Sequence, residues 1–331
     1  MKILKDADIS LDAILQKTVA IVGYGNQAKA QALNLKDSGV RVVIALRSGS
    51  ASNKLALADG VEVLEISEAA KIADLTMILA PDEVHGVVYD QYLHDNLKEN
   101  SSIGFSHGFS IRFNLLKPRA DLDVIMIAPK GPGKTLRELY EKGLGMPCLY
   151  GVDQDKSGTA ADMAIAYAGA IGGGRAGILK SSFAEECETD LFSEQAILCG
   201  GLPALIKAGF ETLVEEGYSP EVAYIECLHE VKQIADLLWE GGLEHMDKAI
   251  SNTAEFGGYV AGERIVSPAV RAEMKDILAD VKSGKFAKNF LQDVENDSSF
   301  IKQERVKDAG HQIEDAGRNV RAVLPWLKSS S

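Results

Sequence analysis

Several things are scarce in this chain, and each scarcity excludes something. Basic residues are outnumbered, 35 Lys and Arg against 48 Asp and Glu, for a net charge of −13. That balance disfavours nucleic acid and anionic membranes as partners. Cysteine is sparse: Cys148, Cys187, Cys199 and Cys227 show neither C-x-x-C spacing nor disulfide density. The N-terminus carries no signal-peptide pattern. Reduced thiols and a cytoplasmic location are therefore expected. No apolar run approaches the roughly 20 residues that span a bilayer. There is no short-period repeat, and no low-complexity tract beyond the serines at 329–331. What remains is 331 residues, 46% hydrophobic and 25% charged, enough for two domains with a sizeable core.

The first half alternates strand-like and helical patterns. Candidate strands lie at 18–22, 41–46, 61–64, 75–79, 102–105, 124–128 and 147–152, mostly short, β-branched and bounded by Gly, Pro, Asp or Ser. Helical patterns at 27–38 and 67–73 fall between them. The alternation predicts βαβ units in a doubly wound parallel sheet covered on both faces. After about Lys180 long helical periodicities take over. The expected division is a Rossmann-type α/β domain over 1–180 and an all-helical domain over 181–331.

Gly23-Tyr24-Gly25-Asn26-Gln27-Ala28 follows the first long strand and opens a helix, the context that the G-x-G-x-x-G/A fingerprint requires. Gly23 makes the turn, Gly25 lets a pyrophosphate approach the backbone, and the helix N-terminus offers N–H groups to phosphate. The next strand ends Leu46-Arg47-Ser48-Gly49-Ser50-Ala51-Ser52, with no acid for a ribose 2′-hydroxyl. A guanidinium and three hydroxyls suit a 2′-phosphate, which predicts NADP rather than NAD. Gly131-Pro-Gly-Lys-Thr135 lacks the spacing of a phosphate loop, which excludes an ATP site there. Polar segments end three other strands: Pro81 to His85, Ser106-His107-Gly108 and Pro129 to Gly133. His107 and Lys130 are placed to touch a substrate oxygen or relay a proton.

Four carboxylates dominate the second half. Asp190 with Glu194, and Glu226 with Glu230, are i,i+4 pairs, so each pair shares a helix face. At about 100° per residue, segment 220–240 gathers Ala223, Cys227, Leu228, Val231, Ile234, Ala235 and Leu238 on one arc, with Glu230 inside it and Glu226 at its edge. Asp190 and Glu194 interleave with Leu191, Phe192, Ile197 and Leu198, and no Lys or Arg lies between 183 and 205. Carboxylates on buried faces need a positive partner, and a hard divalent cation supplies one.

Together, these stretches resemble ketol-acid reductoisomerases of the short, class I form. The resemblance is carried by Val22-Gly-Tyr-Gly-Asn-Gln27, Phe105-Ser-His-Gly-Phe109, Ala128-Pro-Lys-Gly-Pro-Gly133, Glu188-Thr-Asp-Leu-Phe-Ser-Glu-Gln195, Cys199-Gly-Gly201, Glu226-Cys-Leu-His-Glu230 and Ile250-Ser-Asn-Thr-Ala-Glu255. It implies two Mg²⁺ held by Asp190, Glu194, Glu226 and Glu230. Ser251 would contact the substrate carboxylate, with Cys199 nearby. His107 takes the family's active-site position, Lys130 lies beside the metals, and Glu230 relays protons. NADPH would be lined by Tyr24, Gly25, Asn26, Gln27, Arg47, Ser50, Ser52, Asp82, Glu83, Val84, His85 and Gly133. The implied activity is alkyl migration in 2-acetolactate or 2-aceto-2-hydroxybutyrate followed by reduction, in valine and isoleucine biosynthesis. The helical domain would be knotted. The protein would be a homodimer, each site taking Asp190 and Glu194 from one subunit and Glu226 and Glu230 from its partner. The chain departs from the family pattern at Ala28-Lys29 and Lys134, which adds charge near the cofactor. Two rival readings are a metal-free NADP-dependent 3-hydroxy acid dehydrogenase and a nucleotide sensor without turnover; neither needs the carboxylate pairs.

Overall fold

The computed structural model describes residues 2–324; the serine tail at 329–331 lies outside them. By contacts the chain divides into two compact units, Met1–Thr189 and Asp190–Ser331. The passage falls within the helix Phe183–Ser193, about two turns after the sequence changes character at Lys180.

Among its described residues unit 1 is built on nine strands: β1 Ile3–Leu4, β2 Thr18–Val22, β3 Arg41–Leu46, β4 Glu62–Glu65, β5 Leu75–Ile78, β6 Ser102–Phe105, β7 Asp123–Pro129, β8 Cys148–Gln154 and β9 Ile178–Lys180. Their order in the sheet is β1-β9-β8-β7-β6-β5-β2-β3-β4. The run from β4 to β7 is parallel, with the order reversing between β2 and β5. Period-two alternation separates two cores. Val19, Ile21, Val42, Ile44 and Leu46 pack with Leu35 and Tyr167 on one face. Ala20, Val22, Val43 and Ala45 pack with Tyr89, Leu93 and Phe105 on the other.

The expected all-parallel sheet is corrected on one flank. β8 runs antiparallel to β7, with Cys148 opposite Pro129, and the short edge strand β1 runs antiparallel to β9. The reason lies in the helix Gly133–Glu141. It does not cross back over the sheet; Leu136 packs instead with Ala30 and Met146. The chain therefore re-enters the sheet at the end where β7 left it. A helix of ordinary amphipathic pattern gives no sign in the sequence of which neighbour it will choose.

Unit 2 is helical among its described residues. Its core is small: Phe210, Ala223, Tyr224, Ile313, Ala316 and Val320. Three points differ from the sequence reading. First, the regular 100° helical phase across 220–240 is interrupted. A π-turn at Ile225–His229 separates the helices Pro220–Tyr224 and Glu230–Ala249, and another π-turn at Glu194–Leu198 follows Phe183–Ser193. Second, the arc is not buried within the chain: Ala223 is, but Ile234 and Leu238 are each 38% exposed and Trp239 is 87% exposed. Neither Glu230–Ala249 nor Asn252–Ile265 buries a single residue. Third, within Phe183–Glu215 an 18-residue stretch is long and apolar enough by composition to cross a membrane. Gly201–Glu215 sends Phe210 into the core of unit 2, and Lys207 Nζ pairs with Asp308 at 3.0 Å.

Candidate active site

The fingerprint turn stands at the C-terminal end of β2, beside the reversal in strand order, where open α/β sheets bind ligands. Gly23 adopts φ +102°, and a Cβ there would meet the Leu79 carbonyl oxygen at 3.0 Å. Left-handed backbone and a close neighbour together require glycine. Gly25 differs. It caps the helix Asn26–Asp37, and a Cβ on it would meet nothing within 4 Å. The space over the helix N-terminus is open, as an approaching pyrophosphate needs. Gly133 closes the turn from the other side: its Cβ would lie 2.2 Å from the Asn26 carbonyl oxygen. Gln27 Nε2 donates to the Gly131 carbonyl at 2.8 Å, holding the loop after β7 against the cofactor turn.

The side chains assigned to the nucleotide take different positions. Tyr24 is buried, and its hydroxyl donates to Asp59 Oδ2 at 2.8 Å; the phenol pKa is raised, first by burial and then by Asp59. His85 is buried between Ser110 Oγ at 2.7 Å and the Ala80 carbonyl at 2.8 Å, and burial lowers its pKa. Asp82, Glu83 and Val84 form a short turn after β5. Burial raises the Asp82 pKa against the pull of His107 and His85. Arg47 and Ser50 line a cavity of about 630 Å³ with Ser48, Gly49, Ala51, Glu65 and Tyr92; Ser52 stands just before the helix Asn53–Ala58, with no capping hydrogen bond from its side chain. The two departing lysines are both engaged, Lys29 with Asp59 at 2.8 Å and Lys134 with Glu138 at 3.9 Å.

His107 and Lys130 come together on a residue not singled out in the sequence, Glu186. It is 1% exposed. Its Oε2 accepts from the Gly108 backbone N–H at 2.8 Å and lies 3.0 Å from His107 Nδ1, while Lys130 Nζ donates to Oε1 at 2.5 Å. Burial works against the charged imidazole, but hydrogen bonds to Cys187 and Glu186 and the charges of Glu186 and Asp82 outweigh it, raising the His107 pKa to about 11. His107 is therefore an imidazolium at neutral pH. Burial likewise works against the Glu186 carboxylate, yet His107 and Lys130 hold its pKa below the ordinary value. Gly108 is obligatory at this seat, because a Cβ would lie 2.2 Å from the Phe183 carbonyl oxygen. The cluster is also tied to the cofactor helix: Gln31 donates to Ser106 Oγ at 3.0 Å and accepts from the Tyr167 hydroxyl at 2.8 Å. A signal for Glu186 did exist in the sequence. With Asp190 and Glu194 it makes an unbroken i, i+4, i+8 series of acids on one helix.

Asp190 is half-buried, whereas Glu194, Glu226 and Glu230 are exposed. Among the described residues, no three of these four gather into one ligand cluster. Both pairs touch a π-turn: Glu194 opens the first, and Glu226 lies in the second with Glu230 just past its end. Such turns recur at functional sites, because an inserted residue re-aims side chains. Cys199 is exposed at the end of the first π-turn. Ser251 is also exposed and caps the helix Asn252–Ile265, with its Oγ accepting from the Ala254 N–H at 3.2 Å.

Comparison with known proteins gives this arrangement its family. Residues 13–177 match the family described as acetohydroxy acid isomeroreductase, NADPH-binding domain, and residues 183–326 match ketol-acid reductoisomerase, C-terminal domain. The chain belongs to the ketol-acid reductoisomerase family. A solved structure described as an NADH-preferring ketol-acid reductoisomerase from an uncultured archean is 44% identical, covers 98% of this chain and 99% of its own, and superposes with a TM-score of 0.95. More distant structures share the fold alone. One is a semialdehyde dehydrogenase NAD-binding protein from Cupriavidus necator, 16% identical over 81% of this chain and 99% of its own, with a TM-score of 0.63. Another is a pyrroline carboxylate reductase from Plasmodium falciparum, 14% identical over 82% and 98%, with a TM-score of 0.52. The enzyme is thus a ketol-acid reductoisomerase with a nicotinamide-cofactor domain.

Proposed function

We propose that this ketol-acid reductoisomerase converts 2-acetolactate or 2-aceto-2-hydroxybutyrate to the 2,3-dihydroxy acid, with two Mg²⁺ and NADPH, in the cytoplasm. The observation that carries the reading is the convergence of His107 and Lys130 on Glu186, tied through Gln31 to the cofactor helix. The donor set fits magnesium, since Asp190, Glu194, Glu226 and Glu230 are all hard carboxylate oxygens. The turn fits a dinucleotide, with open space over Gly25 and a close cradle at Gly133. When bound, the metals supply Lewis-acid polarisation for the alkyl shift, and NADPH supplies the hydride.

The chain's own residues do the rest. His107, kept as an imidazolium by Glu186, holds a proton for a substrate oxygen that gains charge. Lys130 places a second cation on the same carboxylate. Glu230 takes the proton of the substrate hydroxyl, and Ser251, with Cys199, faces the substrate carboxylate. NADPH over NADH is supported by Arg47 and Ser50 in the cavity beyond β3, although the 44%-identical relative is described as NADH-preferring. A homodimer with shared sites is supported by two helices that bury nothing within their own chain. The metal-free dehydrogenase reading gives no use to the four acids.

The test is NADPH oxidation with acetolactate, with and without Mg²⁺. Turnover is expected only with metal, and Glu194→Gln is expected to abolish it while NADPH still binds. Undiminished turnover by metal-stripped enzyme removes the two-metal reading.

A further inference from the structure

The 2′-phosphate assignment starts from a missing acid at the end of β3. The fold supplies one from the neighbouring strand. β4 pairs with β3 in parallel register, with Glu65 opposite Leu46, the residue before Arg47. Both strands end at the same edge, and the cavity of about 630 Å³ beyond them is lined by Glu65 as well as by Arg47 and Ser50. Glu65 and Arg47 also line a second, adjoining cavity of about 220 Å³. A carboxylate and a guanidinium therefore share the pocket.

Glu65 has no evident structural duty. It occupies the N-cap position of the helix Ile66–Ile72, yet its side chain makes no capping hydrogen bond. It is exposed, and among the described residues it forms no ion pair with Arg47. The plain alternative is an acid that benefits only from the helix dipole. That alternative does not account for its place in the same cavity as Arg47.

We propose that Glu65 is a second specificity residue of the cofactor pocket, set against Arg47, and that it holds the ribose 2′-hydroxyl of NADH. The proposal rests on assigning this cavity to the adenosine ribose of the cofactor. A carboxylate accepts a hydrogen bond from a 2′-hydroxyl, the task an acid performs in NAD sites. It repels a 2′-phosphate, which carries a charge of about −1.5 to −2 at neutral pH. Arg47 acts in the opposite sense. The pocket then accepts both dinucleotides, and its preference is the difference between two opposed contacts rather than the product of one.

The experiment uses the full chain and reads binding without turnover. Wild type, Glu65→Gln, Arg47→Gln and the double variant are titrated with NADPH and with NADH by nucleotide fluorescence. Displacement by adenosine 2′,5′-bisphosphate and by 5′-AMP isolates the pocket from the nicotinamide end. Glu65→Gln is expected to tighten NADPH and loosen NADH, moving the affinity ratio about tenfold toward NADPH, the scale of one charged hydrogen bond. Adenosine 2′,5′-bisphosphate is expected to follow NADPH. A ratio that stays at the wild-type value in Glu65→Gln, while Arg47→Gln loses NADPH, overturns the role of Glu65 alone. NADPH affinity unchanged in Arg47→Gln removes the assignment of the pocket, and the proposal with it.

Discussion

At the residue scale the central group is Glu186, a carboxylate with 1% exposure that three donors share. Its burial is sustained by two cations, because an isolated buried charge is costly. Glu186→Gln keeps the shape and removes the charge. Stability is expected to fall by about 2–3 kcal/mol, the loss of charged hydrogen bonds, read as a lower urea midpoint with unchanged slope. The His107 pKa is expected to drop from about 11 toward its ordinary value, read by NMR titration of the imidazole. A pKa unmoved by the substitution would mean that Glu186 does not hold the proton. The pH dependence has a definite sign. A group whose pKa is raised on folding stabilises the native state fully below its unfolded value of about 6.5, and the contribution is lost as pH rises toward the folded value. Wild type should therefore lose stability relative to His107→Asn across the window from about 6.5 up to about 11. The depressed Glu186 works on the acid side: its contribution is present above the unfolded carboxylate pKa and is lost as pH falls through the folded one.

At the element scale two glycines, Gly25 on the cofactor turn and Gly133 packed against it, make a controlled comparison. A methyl at Gly25 enters open space, whereas a methyl at Gly133 runs into the Asn26 backbone. Gly25→Ala is expected to leave the melting temperature nearly unchanged and to weaken NADPH about tenfold or more, because only the ligand needs the space. Gly133→Ala is expected to lose both, with about 1–3 kcal/mol of stability gone through overpacking. Equal melting temperatures in the two variants would contradict the cradle. The same scale shows what the sequence could disclose. Strands β2, β3 and β6 fall on the ranges their alternating and β-branched patterns predict, because a strand buried on both faces is written locally. The reversed direction of β8 was hidden, since it depends on the helix Gly133–Glu141 choosing a helix rather than the sheet as its neighbour. The carboxylate pairs were legible as i,i+4 spacings, but the π-turns beside them were not, because one inserted residue leaves no mark in composition. Glu186 was passed over although it continues the acid series. Glu65 was invisible for a stronger reason: nothing links positions 47 and 65 until β3 and β4 pair.

At the scale of the whole molecule the helices Glu230–Ala249 and Asn252–Ile265 pose the question, since neither buries any residue in its own chain. Trp239, Leu243, Phe256 and Tyr259 are 87%, 72%, 71% and 64% exposed. Helices in water draw most of their stability from packing an apolar face, so such helices call for a partner surface. Under the proposed function that partner is a second copy of the chain: Glu230 opens the first of these helices, Glu226 lies one turn before it, and among the described residues no three of the four acids gather into one ligand cluster. A two-fold dimer that joins Asp190 and Glu194 of one subunit to Glu226 and Glu230 of the other completes two sites at once. Complementation tests this. Chains carrying Asp190→Asn and chains carrying Glu226→Gln are each expected to be inactive alone. When co-expressed, random pairing makes about half the dimers hybrid, and each hybrid has one site with both defects and one with none. Activity is then expected to return to roughly a quarter of wild type, half the dimers times one site in two. If each site were built within one chain, every site would keep a defect. The mixture would stay as inactive as its parents, and the shared site would have to be abandoned.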